Sequence, residues 1–199
     1  MYQNFKALSV SFKNTPLEIR EKLALDEEMT ERLLRFFKEF SSLSEILLIS
    51  TCNRTEIYYS GDEITSLEII KMLCIEKGLS NPDKLLHYFQ PYHGTEAVEH
   101  LFRVALGLEA QVVGDLQITN QVKRAYQLSA DYDMAGPFLH RLMHTIFFAN
   151  KRVVQETAFR DGAASVSYAA TELVEELTTH IINPKILVLG LGEIGADVC

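Results

Sequence analysis

Residues 45–60 read EILLISTCNRTEIYYS, and the fold turns on how this stretch divides. Glu45 to Ser50 is rich enough in Ile and Leu for a strand buried on both faces. Residues 55–60, TEIYYS, form another. Only Thr51 to Arg54 separate the two, which is too short for a crossover, so the strands are predicted to be antiparallel neighbours. Upstream, FKALSVSF at 5–12 alternates apolar and polar residues as a half-buried strand does. Asn14-Thr15-Pro16 then signals a helix start. Residues 16–40 read as two helices meeting near Asp26, the second with a stripe of Leu33, Leu34, Phe36, Phe37 and Phe40. Downstream, a helix is predicted at about 63–77 with Ile64, Leu67, Ile70 and Leu73 or Cys74 inward, and Gly78 at its C-cap. KLLHYFQP at 84–91 reads as a fourth strand. The order is βαββαβ with an extra helix, a split βαβ (ferredoxin-like) sandwich.

From 95 to 182 the pattern turns helical, with helices predicted at about 95–107, 115–130, 136–157 and 163–181. Asn183-Pro184 breaks the last. Lys185 to Leu189 reads as a new buried strand, and Gly190-Leu191-Gly192-Glu193-Ile194-Gly195 follows it. The expected fold class is therefore mixed α+β and α/β: the sandwich, long connecting helices, then the first strand of a Rossmann-type unit. The expected domains are 1–155 (sandwich 1–92, helical part 93–155), a connecting helix at 156–183, and the truncated start of a nucleotide-binding domain at 184–199.

The 199 residues are 47% apolar and 23% charged, which suits a soluble globular protein and excludes a disordered tail or a disulfide scaffold. The net charge of −8 argues against non-specific coating of nucleic acid or membrane. Within it, residues 121–160 hold six basic and three acidic side chains, the one candidate electropositive stretch. Three cysteines, few and odd in number, suggest free thiols in a reducing, cytoplasmic compartment. No signal peptide or membrane-length apolar run is present, and no Cys/His spacing fits a metal.

Three constellations could carry chemistry. Cys52 follows a buried strand between polar residues, and Arg54 two positions on could favour its thiolate. A small structural thiol in a turn is an equal reading; Cys74, at an apolar helix position, reads as plain core. His100 falls on the flank of the stripe Ala97, Leu101, Val104, Ala105 and Leu108, where it could reach a cleft and move protons, although a lone flank histidine is more often a bland hydrogen-bonded residue. Gly190 to Gly195 is a G-x-G-x-x-G directly after a strand pattern, the arrangement that cradles a pyrophosphate.

With LISTCNRTEIY at 48–58, HLFRVALGLE at 100–109, VGDLQI at 113–118, ANKRV at 149–153 and GAASVSY at 162–168, the whole sequence resembles the glutamyl-tRNA reductase family. The resemblance implies NADPH-dependent reduction of glutamyl-tRNA(Glu) to glutamate-1-semialdehyde, the first step of tetrapyrrole (porphyrin) biosynthesis by the five-carbon route. It implies that Cys52 is the nucleophile, forming an enzyme thioester, and that His100 is important for activity. Thr51, Asn53, Arg54, Gln117 and Gln121 match the family's substrate contacts, and Ala110, Asp115 and Leu116 stand at further substrate-binding positions. Gly190, Leu191, Gly192, Glu193, Ile194 and Gly195 match its NADPH fingerprint, the site being incomplete in this chain. The family further implies a homodimer and possible contact with the next enzyme, glutamate-1-semialdehyde aminomutase. Departures are Phe12 for the usual His, Ala110 for Ser, Asp115 for Glu and Thr119-Asn120 for Leu-Gly. The alternative reading is a non-catalytic glutamyl-tRNA-binding or regulatory relative.

Overall fold

The computed structural model describes residues 3–61, 64–159 and 166–199. Four strands, β1 (Phe5–Ser11), β2 (Glu45–Thr51), β3 (Arg54–Ser60) and β4 (Gln90–His93), form one sheet in the order β2-β3-β1-β4, antiparallel at every pairing. The β2–β3 hairpin is tighter than the four residues 51–54 suggested. Thr51 pairs with Arg54, so Cys52 and Asn53 alone make the turn.

Side-chain alternation splits the sheet into two faces. One face carries Leu8, Val10, Ile46, Leu48, Ile57 and Tyr59. Against it pack α1 (Leu17–Leu23), α2 (Glu27–Phe40) and α3 (Ser66–Glu76), through Leu23, Leu33, Leu34, Phe37, Ile70 and Leu73. The other face carries Phe5, Ala7, Leu47, Ile49 and Tyr58. It is covered by α5 (Thr95–Ala105), α6 (Leu116–Asp131) and α7 (Pro137–Glu156), through Ala97, Leu101, Val122, Leu139, Met143 and Ile146. Ser9, Arg54 and Glu56 share this second face, and the alternation thereby sends a charged pair inward.

Local chemistry sets the element ends. Asp26 separates α1 from α2 as expected, its carboxylate accepting from Met29 N at 2.8 Å. Thr65 and Glu68 form a reciprocal capping box at α3. The free edge of β2 is occupied by Met134, whose carbonyl accepts from Ile46 N at 2.8 Å. Beside it, the buried Glu45 carboxylate accepts from Phe138 N and Leu139 N, holding the start of α7. A Cβ on Gly136 would lie 2.4 Å from Glu45 Oε1, so any larger residue there would have to displace this carboxylate.

Several expectations are corrected. The fourth strand is not 84–91. Asn81 takes a left-handed φ of 64° and Pro82 opens a short helix, α4 (Pro82–Leu85), continued by a 3₁₀ turn at Leu86–Tyr88, so the strand begins only at Gln90. On α2, Phe36 is half-buried and Phe40 exposed, so the buried stripe is Thr30, Leu33, Leu34 and Phe37. On α3 Ile69 is buried and Leu67 only partly so. Cys74 is core, as read, and burial raises its thiol pKa above the ordinary value. Residue 63 and the expected helix start at 163 lie outside the described residues; α8 is described as Val166–Thr178. Residues 185–189 form no strand. A strand exists only where a neighbour takes up its N–H and C=O groups, and none among the described residues does so here. Leu187 and Leu189 are exposed, and the glycine turn leads into a short helix, α9 (Glu193–Val198). No helix among the described residues is long and apolar enough to cross a membrane.

Candidate functional site

Cys52 sits exposed at the tip of the β2–β3 hairpin. Three neighbours hold that tip. Arg20 of α1 donates from Nη1 to the Cys52 carbonyl at 2.9 Å, Phe12 N donates to the Asn53 carbonyl at 2.9 Å, and Asn53 Nδ2 donates to Gln111 Oε1 at 3.1 Å. Thr51 Oγ1 accepts from Asn53 N at 3.2 Å inside the turn. The nucleophile candidate is therefore presented to solvent on a fixed backbone.

Beneath the tip lies a charged cluster that the sequence reading did not single out. Glu56 is fully buried. Its Oε1 accepts from Arg54 Nη1 at 3.0 Å and from Ser9 Oγ at 2.9 Å. Its Oε2 lies 3.0 Å from His100 Nε2 and accepts from Tyr58 OH at 3.4 Å. Such a buried charge is tolerable only because each oxygen has donors. Burial, and then the Glu56 charge, drive the Tyr58 phenol well above its ordinary pKa. The signal available in sequence was the alternation Arg54, Glu56, Tyr58 on one face of a strand. A lone Glu in a strand reads as solvent-facing until its partners are known.

Arg54 was expected to favour the Cys52 thiolate. Its guanidinium is instead engaged inward, by Glu56 and by the Glu109 carbonyl. The Cys52 thiol is not among its described partners. That second contact draws the loop 106–115 over the hairpin tip. Glu109 pins the same loop: its carboxylate pairs with Lys13 and accepts from Arg103 Nε at 2.7 Å. Burial pushes the Glu109 carboxyl up, but the hydrogen bonds and charges of Lys13 and Arg103 outweigh it and leave the pKa below the ordinary value. Gly107 has φ +76°, and a Cβ there would be 3.3 Å from the Asp115 backbone, so glycine makes this bend.

His100 is buried but lines a cleft of about 440 Å³ with Tyr92, Glu96, Glu99, Arg103 and Glu109. The Tyr92 ring stacks on it at 4.1 Å and 13°. Ala110 is half-buried in the pinned loop. Asp115 is buried and caps α6, accepting from Gln117 N at 2.9 Å, so the shorter acid has a structural task there. Leu116 is the first residue of α6. Gln121 lines a second cleft of about 450 Å³, with Ser50, Asp26, Thr30 and Arg124. The structure thus gathers Thr51, Cys52, Asn53, Arg54, Ala110 and, through Glu56, His100. Gln121 opens on the α2–α6 side. Cys52 lines neither cleft.

The glycine turn stands apart, sharing no lining residue with either cleft. Gly190 has φ +99°, and a Cβ on Gly195 would lie 2.1 Å from the Gly190 carbonyl oxygen. Around Gly192 there is open space within 4 Å. A bend, a close backbone crossing and an open middle position are what each glycine of a pyrophosphate cradle supplies.

Comparison with known proteins bears on this arrangement. Residues 8–157 match the family model described as Glutamyl-tRNAGlu reductase, N-terminal domain. The chain is 58% identical over its whole length to a glutamyl-tRNA reductase of Cytophaga hutchinsonii, covering 47% of that protein. It is 39% identical to one of Aquifex aeolicus, over 94% of the chain and 45% of the relative. The solved structure of glutamyl-tRNA reductase from Methanopyrus kandleri superposes with a TM-score of 0.70 at 30% identity, over 98% of this chain and 45% of that one. The chain spans just under half the length of the relatives it matches.

Proposed function

The chain belongs to the glutamyl-tRNA reductase family, and from that premise we propose that it binds glutamyl-tRNA(Glu) and carries the acyl-transfer half of that reaction. The observation that carries the reading is the exposed Cys52 on a backbone fixed by Arg20, Phe12 and Gln111, directly above the buried Arg54–Glu56–His100 cluster. In this reading the Cys52 sulfur attacks the ester carbonyl carbon of the charged tRNA. A C–S bond forms, the C–O bond to the ribose breaks, and the proton lost by the thiol ends on the ribose oxygen. Thr51, Asn53 and Arg54, with Ala110 and the residues from Asp115 to Gln121, receive the glutamyl group.

The Gly190–Gly195 turn has the backbone shape to hold the pyrophosphate of NADPH. When bound, NADPH supplies the hydride that turns the thioester into glutamate-1-semialdehyde, the first step toward tetrapyrroles. The same reading assigns residues 1–155 to the catalytic domain, with a split βαβ, ferredoxin-like order. It assigns 156–183 to the connecting helix and 184–199 to the opening of a Rossmann-type unit. It includes a homodimer, a cytoplasmic setting where charged tRNA is met, and hand-over to the aminomutase that consumes the semialdehyde.

The test is discharge of the substrate. Incubated with glutamyl-tRNA(Glu) without NADPH, the protein is expected to release about one equivalent of uncharged tRNA. The Cys52→Ser protein, equally folded by circular dichroism, is expected to release none. Equal release by both would remove Cys52 from the reaction.

A further inference from the structure

The basic stretch 121–160 has no task in the acyl-transfer site, and the fold shows where it goes. It supplies most of α6 and α7, which both pack on the second face of the sheet. The two helices lie antiparallel: Tyr126 meets His140 through its hydroxyl, and Thr119 Oγ1 donates to Asn150 Oδ1 at 3.5 Å. Val122 and Ser129 of α6, and Leu139, Leu142, Met143 and Ile146 of α7, take the buried side. At 3.6 residues per turn, the opposite side of α7 carries Arg141, His144, Phe148, Lys151 and Arg152. All five are exposed, Phe148 by 63%. Lys123 stands exposed on the outer side of α6.

This face is positive in a chain whose net charge is −8. The only acids in the two helices are Asp131 and Glu156, each in a last turn and each engaged. Asp131 accepts from Gln127 Nε2 at 2.8 Å, and Glu156 from Arg152 Nε at 2.8 Å. Arg124 looks the other way, toward Glu27 of α2. No ion pair among the described residues involves Lys123 or Lys151. Exposed cations around an exposed aromatic ring suit a polyanion that also offers flat faces, which is the chemistry of RNA. The face also leads to the Cys52 end of the sheet. α7 starts at Glu45, where β2 starts, and its 20 residues run about 30 Å. The Asn150 contact sets its far part beside the start of α6, which follows the loop drawn over the hairpin tip.

We propose that the outer face of α6 and α7 is an RNA-binding surface, on which the phosphate backbone of the charged tRNA lies with its acceptor end toward Cys52. The proposal rests on the functional reading above and gives that reading a docking surface away from the reacting atoms. Lys123, Arg141, Lys151 and Arg152 neutralise phosphates, and Phe148 packs against a base or a sugar. Such contacts fix position and register rather than sequence. They let an acidic protein hold a polyanion, because its excess negative charge lies on other surfaces.

Two measurements test this. The first is tRNA(Glu) binding across a series of salt concentrations, for the parent and for Lys123→Gln/Arg141→Gln/Lys151→Gln. Each lost phosphate contact flattens the plot of log affinity against log salt by about 0.7–0.9, so the triple variant should lose about 2 units of slope. At about 0.1 M salt its affinity should fall roughly 10- to 100-fold. Lys71→Gln, a charge loss on α3 across the sheet, should leave both unchanged. The second is lysine acetylation of the unsubstituted protein, which stands even if the triple variant fails to fold. Lys123 and Lys151 should be protected by tRNA(Glu), and Lys71 should not. A folded triple variant with the parent's slope, a Lys71→Gln variant weakened as much, or unprotected Lys123 and Lys151 overturns the proposal while the functional reading stands. A parent that binds no tRNA(Glu) at any salt concentration overturns the functional reading and the proposal with it.

Discussion

Replacing Arg54 by Met should be the most damaging single change in the cluster, and its size follows from burial. The Arg54 side chain is 2% exposed and the Glu56 side chain 0%. Arg54→Met keeps the bulk of the stem but leaves a carboxylate in a dry interior without its counter-charge. Removing one partner of a buried pair costs about 3–5 kcal/mol. Glu56 keeps donors from Ser9, His100 and Tyr58, which places the cost near the lower end, about 3 kcal/mol. For a protein of this size each kcal/mol is roughly 2–4 °C, so the melting temperature should fall by about 6–12 °C. Lys13→Met is the control. Its side chain is 50% exposed, so loss of its pair with Glu109 should cost less than about 1 kcal/mol. The double variant Arg54→Met/Glu56→Gln removes the stranded charge and should recover part of the loss. Urea titration of the four proteins measures this. An Arg54→Met protein within about 1 kcal/mol of the parent would refute a buried, mutually dependent pair.

Thiol labelling should separate the cysteines: Cys52 and Cys199 react in the native protein, while Cys74, buried and with its pKa raised, reacts only on unfolding, as peptide mapping would show. The Glu109 carboxyl has a depressed pKa, so its hold on the loop 106–115 is present above the ordinary glutamate value and is lost as pH falls through the lower folded value. Protection of that loop's amides, taken relative to the intrinsic exchange rate at each pH, should therefore fall in the parent as the pH drops below the ordinary glutamate range and be low throughout in Glu109→Gln. Gly195→Ala cannot keep the 2.1 Å approach to the Gly190 carbonyl, so α9 should detach and become sensitive to limited proteolysis, leaving the sheet domain's melting unchanged.

The hairpin was legible because two apolar runs separated by four residues admit hardly any other arrangement. The cut near Asp26 was legible in sequence, and the structure supplies its chemistry, the Asp26 carboxylate capping α2. The fourth strand was misplaced because KLLHYFQP has a strand's apolarity, while the signal that decides it, Asn81-Pro82 starting a helical turn, lies just upstream. Lys185 to Leu189 has the composition of a buried strand, but composition cannot provide a neighbour. Thr51, Cys52, Asn53 and Arg54 lie together at the hairpin end, as their adjacency in sequence dictates. Glu56 was not legible, because its role comes from His100, 44 positions away, and from Ser9 on the next strand. The expected help from Arg54 to Cys52 missed for the same reason. Spacing places two residues close along the chain but does not say which partner holds the guanidinium.

The central claim is that Cys52 accepts the glutamyl group. Mixing the protein with glutamyl-tRNA(Glu) in the absence of NADPH, quenching in acid and mapping the peptides by mass spectrometry tests it most directly. The account predicts a glutamyl mass on the peptide holding Cys52, released by hydroxylamine as a thioester is, and none on Cys74 or Cys199. A glutamyl group found on another residue, or on none while the tRNA is bound and intact, would contradict it.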